Sequence, residues 1–109
     1  MQNQRIEQLI QFLKDDPNDP FTIYALALEY LKTDDNKALV YFNQLLNEHP
    51  DYIATYYHAG KLFEKLGNKE KAGEVYQKGI QLATQTRKLH ALNELRAAYN
   101  ILMDEEEDW

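Results

Sequence analysis

Cysteine is absent from this 109-residue chain, and so is serine. The first absence removes disulfides, thiolate metal sites and cysteine nucleophiles together. The second removes the commonest hydroxyl nucleophile. No stretch approaches the roughly 20 apolar residues that span a bilayer, and the opening MQNQRIEQLI has neither the basic start nor the apolar core of a secretory signal. A soluble, cytoplasmic protein without a membrane partner is expected. Glycine is scarce and scattered, at Gly60, Gly67, Gly73 and Gly79, so no glycine-rich loop is available to cradle a nucleotide phosphate. A basic excess is missing too. The formal charge is -6, but Asp104, Glu105, Glu106, Glu107 and Asp108 account for most of it, leaving 13 acids against 12 bases elsewhere. With no basic stripe to neutralise phosphates, nucleic acid is not an expected partner.

What the chain does have is helical periodicity. Ile6, Leu9, Ile10 and Leu13 recur at helical spacing before the turn Asp15-Asp16-Pro17-Asn18-Asp19-Pro20. Asp19 reads as an N-cap with Pro20 at the first helical position, where its missing N–H costs nothing, and a second helix is predicted from about Pro20 to Lys32. Thr33-Asp34-Asp35 interrupts it, with Asp34 as the next cap. Ala38, Leu39, Phe42, Leu45 and Leu46 then supply the apolar stripe of a third helix, which His49-Pro50-Asp51 ends. A fourth helix is predicted from about Tyr52 to Leu66, stopped by Gly67, and a fifth from the cap Asn68 to about Ala83. The sixth covers roughly Thr86 to Met103, with Leu89, Leu92, Leu95, Ala98, Tyr99 and Leu102 along one side. No segment reads as a strand. The links are short enough only for adjacent antiparallel helices, so the predicted fold class is all-α with about six helices.

Residues that could carry chemistry have simpler duties. His49, His58 and His90 lie on different segments without the i, i+4 spacing of a metal motif, so no metal site and no cofactor is expected. His49 suits a helix C-terminus, where the dipole favours it. Asp34 and Asp35 sit in a turn that capping explains, and no catalytic residue set remains. The tyrosines, eight in all, are not interleaved with bases as a stacking platform for nucleic acid requires, and core packing accounts for Tyr30, Tyr56 and Tyr76.

A repeat changes the meaning of every recurrent residue, and one is present. Tyr56, Ala59, Gly60, Phe63, Ala72 and Tyr76 follow the spacing aromatic, small pair, aromatic, then alanine and a second aromatic four residues later. Ile23, Leu26, Ala27, Tyr30, Ala38, Phe42 and Pro50 give the same series with one residue fewer in the turn. On these residues the chain resembles the tetratricopeptide repeat family. Ala27 stands where the second series has Gly60, and Thr84 where the closing proline is expected. The resemblance implies antiparallel helix hairpins stacked as a short right-handed superhelix. Its parts would be a single domain over residues 1–103, comprising a partial repeat at 3–19, repeats at 20–51 and 52–84 and a capping helix at 86–103, and then an acidic tail at 104–109. Small residues such as Ala59 and Gly60 would let helices cross closely while Tyr56, Phe63 and Tyr76 fill the remaining space.

The resemblance also implies a function without catalysis: a protein-interaction module whose first helices line a concave groove that binds a peptide or partner surface. That face would hold Phe21, Tyr24, Leu28 and Leu31 from one helix, Tyr57, His58, Lys61, Glu64 and Lys65 from the next, and Lys88 with Ala91 from the last. It is aromatic at one end and basic at the other, suited to a segment with an apolar anchor and an acidic group. Phe21, Leu28 and Leu31 fit equally a core covered by the first helix. The basic clamp by which some family members hold a C-terminal carboxylate would fall near Tyr24, Leu28, His58, Lys88 and Leu92, and with Lys88 alone basic it is not reproduced. The ending MDEEEDW reads as a solubilising tail, or as a segment whose Trp109 and acids dock near Lys61, Lys65 and Lys88. The rival to partner binding is homo-oligomerisation through the apolar face or this tail.

Overall fold

The computed structural model describes residues 3–107 and the side chains of residues 3–104. All regular structure among them is helical: α1 (Gln4–Asp15), α2 (Pro20–Leu31), α3 (Asp35–Glu48), α4 (Ala54–Lys65), α5 (Lys69–Thr86) and α6 (Leu89–Glu107). They gather into two compact units, Met1–Tyr52 with α1 to α3 and Ile53–Trp109 with α4 to α6.

In the first unit each helix begins where a side chain satisfies its exposed N–H groups. The Asn3 side-chain oxygen accepts from the N–H of Arg5 at 2.9 Å and of Ile6 at 3.3 Å. Asp19 accepts from the N–H of Phe21 at 3.3 Å and the hydroxyl of Thr22 at 2.7 Å, with Pro20 opening α2. Asp34 accepts from the N–H groups of Asn36 and Lys37 at 3.1 and 3.2 Å. The packing follows the periodicity. α2 lies against both α1 and α3, and the buried apolar side chains are Leu9 of α1, Ile23, Leu26 and Ala27 of α2, and Ala38, Phe42 and Leu45 of α3. Burial contributes roughly 1.5–3 kcal/mol for each of the larger ones. At the margin Tyr30 and Tyr41 stack with ring centroids 5.7 Å apart and planes 5° from parallel, and the Lys37 ammonium sits 5.5 Å from the centre of the Tyr30 ring.

In the second unit α4 and α5 form a close hairpin and α6 covers it, touching both. The closeness depends on two glycines. A Cβ at Gly60 would lie 2.2 Å from Cε1 of Tyr76, and one at Gly79 would lie 2.6 Å from Cβ of Tyr56. Real side chains do not approach so nearly, so the helices cross at this distance only because both positions lack a side chain. Gly67 serves differently. Its φ of 83° reverses the chain after α4, and the Asn68 N–H returns to the Phe63 carbonyl at 2.8 Å.

The helix ends depart from expectation where no breaker residue stands. α5 is predicted to stop near Ala83 but continues to Thr86, because Thr84, unlike a proline, keeps the backbone N–H and the helical dihedrals available. Its stop comes at Arg87, left-handed at φ 57°, with the Lys88 N–H on the Ala83 carbonyl at 2.9 Å. α6 consequently starts at Leu89 rather than Thr86. At the other end α6 runs to Glu107, past the predicted limit at Met103. Glutamate is a good helix former and neither glycine nor proline intervenes, so a change of charge alone does not end the helix. Asp108 and Trp109, and with them the proposed docking of Trp109, lie outside the described residues.

Candidate functional site

The expected partner-facing residues fall into the two units and are described within each. On α2, Phe21 is 62% exposed, whereas Leu28 and Leu31 are half-buried. Of the two sequence readings, core or surface, Phe21 follows the surface one. Tyr24 is half-buried with its ring tilted 59° against Tyr52, the centroids 5.6 Å apart. The adjoining Glu29 is already paired. Its carboxylate accepts from the Lys32 ammonium at 3.1 Å and from the Asn3 amide at 3.4 Å, and the lysine, with a smaller contribution from the asparagine, holds it below the usual carboxylate range against the opposing effect of burial. The exposed part of this helix is therefore apolar and aromatic.

On α4 the corresponding surface is polar. Tyr57 and His58 are half-buried and meet edge to face with ring centres 5.5 Å apart. Burial keeps the His58 imidazole below its ordinary range, opposed in part by the carboxylate of Glu94 on α6. Lys61 and Lys65 are exposed. One turn along from Lys61, Glu64 lies with its Oε2 4.0 Å from the lysine ammonium, the side chains being 51% and 19% exposed. Helical spacing of three and four residues brings these side chains to one surface. Lys88 is exposed but belongs to the joint between α5 and α6, not to the last helix where sequence periodicity puts it, because α6 starts one residue later.

One side-chain pairing at this surface was not legible as a motif. The Tyr76 hydroxyl, on a ring with no exposed surface, donates to Glu64 Oε2 at 2.5 Å. Burial first, and then the hydrogen bond and charge of Glu64, raise the tyrosine far above the usual phenol range, so that it remains a donor at any physiological pH. The carboxylate is thereby fixed in orientation on the α4 surface. A signal did exist in the repeat: where the second series has Tyr76 and Glu64, the first has Phe42 and Leu31. The polar pair and the apolar pair change together.

Among the described residues no group of histidine and carboxylate side chains could hold a metal ion. His49 ends α3 with its N–H on the Leu45 carbonyl at 2.8 Å, and its buried Nε2 has no hydrogen-bond partner. His90 is exposed in the first turn of α6. No helix among the described residues is long and apolar enough to cross a membrane.

Comparison with known proteins agrees with the repeat spacing. Tetratricopeptide repeat models match residues 23–52 and 53–86. The crystal structure of a tetratricopeptide repeat domain protein from Salinibacter ruber is 42% identical, with a TM-score of 0.76, over 79% of this chain and 97% of that one. The solution structure of a tetratricopeptide repeat domain protein from the same organism is 44% identical, with a TM-score of 0.75, over 80% and 89%. A solution structure of a Bordetella parapertussis protein shares the fold at 20% identity, with a TM-score of 0.81 over 97% and 92%. No match was found among curated proteins. Two repeat matches in tandem, together with more than 40% identity across nearly the whole of a solved repeat domain, establish that this chain belongs to the tetratricopeptide repeat family.

Proposed function

We propose that the chain is a non-catalytic interaction module that takes a peptide or a partner surface on the exposed sides of its first helices. Repeats of this family generally mediate protein–protein interaction or scaffolding, and the family is generally non-catalytic. The proposed contact residues are Tyr24 and Leu28 on α2, Tyr57, His58, Lys61 and Lys65 on α4, and Lys88 at the joint between α5 and α6. The observation that carries the reading is the α4 surface, where aromatic rings and charged side chains stand together on a rigid helix that loses little side-chain freedom on association. Affinity capture from native lysate tests it, comparing the wild type with a Tyr57→Ala, Lys61→Ala double variant. Reduced capture by the variant is expected; identical capture would remove the α4 surface from the proposal.

A second reading, association of identical copies, is favoured by the 62% exposure of Phe21 beside Tyr24 and Leu28. Sedimentation of wild type and Phe21→Asp distinguishes the two. A mass that rises with concentration and falls in the variant supports self-association, and a monomer in both supports a foreign partner.

A further inference from the structure

The α4 surface contains a donor and an acceptor side by side, and their roles are unequal to those of an ordinary surface ion pair. Glu64 Oε2 receives the Tyr76 hydroxyl and faces the Lys61 ammonium at 4.0 Å. Both of these contacts fall on Oε2 and neither on Oε1. At 4.0 Å, with Lys61 half in solvent, the contact between the two charges is loose, so a third group can enter it at little cost. The carboxylate itself cannot swing away, because the buried Tyr76 anchors it. The site therefore offers one positively charged donor and one oriented acceptor within the span of a single small group.

We propose that Lys61 and Glu64 select a neutral carboxamide, the side chain of an asparagine or glutamine in the partner segment. The carboxamide NH2 would donate to Glu64 Oε1 while its carbonyl accepts from Lys61 Nζ, so both halves of the group are matched. A carboxylate in its place would meet Glu64 with like charge, and a lysine or arginine would meet Lys61. An apolar side chain would leave Glu64 Oε1 desolvated and unpaired. The first unit makes no such demand, since Leu28 and Leu31 stand at the positions of Lys61 and Glu64 in the repeat. The inference rests on α4 facing the partner and adds which chemistry it reads.

The experiment is an array of immobilised peptides with Asn, Gln, Asp, Lys or Leu placed at each position of otherwise varied sequences, probed with the full chain. Wild type is expected to favour Asn or Gln at one position by about tenfold, the worth of one charge-assisted hydrogen bond. Glu64→Gln keeps an acceptor for the Tyr76 hydroxyl but turns the second atom into a donor, so the preference should move to Asp. Lys61→Met, at an exposed position, should lower the amide preference without affecting the fold. Binding without amide preference in the wild type, or an unchanged preference in Glu64→Gln, overturns this inference and leaves the interaction surface standing. No retained peptide, or retention indifferent to Tyr57→Ala, overturns the surface and the inference together.

Discussion

The two repeat hairpins solve one packing problem with different residues. In the α4–α5 hairpin Gly60 lies against the Tyr76 ring; in the α2–α3 hairpin the repeat puts Ala27 and Phe42 at the same positions, and all four residues are buried. The α2–α3 hairpin keeps a methyl group and a ring without a hydroxyl. The α4–α5 hairpin gives up the methyl, which costs roughly 1 kcal/mol of helix propensity. It then brings the ring so near that the phenolic hydroxyl reaches Glu64. The hairpin with glycine and tyrosine carries an oriented carboxylate at Glu64, where the other has Leu31.

The largest expected effect comes from closing that space. Gly60→Ala and Gly79→Ala should each destabilise the chain by about 2–3 kcal/mol in urea denaturation, overpacking outweighing the gain in helix propensity. Gly73→Ala is the control within the same helix as Gly79. Its Cβ would meet nothing nearer than 3.8 Å, at Leu102 and Met103, so it should stabilise by up to about 1 kcal/mol. Equal losses at all three glycines would refute the crossing argument.

Next in size is the hydroxyl pair. Tyr76→Phe should cost about 1–2 kcal/mol by leaving Glu64 without its buried donor. Adding Glu64→Leu recreates the Phe42 and Leu31 combination and should recover most of that loss. A double-mutant cycle with no coupling would separate the two residues energetically. The same pair predicts an alkaline limit. Because the folded state holds Tyr76 above its ordinary range, stability present below about pH 10 is lost as the pH rises further and the unfolded chain ionises. Tyr76→Phe should flatten that part of the profile.

Arg87 carries a left-handed conformation that glycine adopts without strain, as Gly67 does at the end of α4. Arg87→Gly should therefore raise stability by roughly 1 kcal/mol, read from the denaturation midpoint. The smallest effect is at His58. Its folded-state value lies below the ordinary one, so its contribution is present above about pH 6.5 and declines as the pH falls through the folded value. Midpoints measured across this range should converge with those of His58→Gln at the acid end.

Much of this fold was legible because its signals are local. Asp19, Asp34 and Asn68 announce helix starts by capping chemistry that acts within three residues, and Gly67 announces a stop by its own backbone freedom. The ends at Thr86 and Glu107 were not legible, since no nearby residue forbids the helix and its extent depends on what the chain does next. In the candidate site, spacing placed Tyr57, His58, Lys61 and Lys65 on one helix, but periodicity did not fix Lys88, whose position turns on the one-residue start of α6.

By itself the sequence determined the helical class, the number of helices, the tandem hairpins and the family, all of which follow from periodicity and spacing along the chain. Tertiary structure alone decided that Gly79 must be bare beneath Tyr56, that Gly73 need not be, and that Tyr76 orients Glu64. The reason is physical: capping and periodicity act over one or two turns, whereas these contacts join residues 12 or more positions apart, and their energy depends on ångström distances that only the packed helices set.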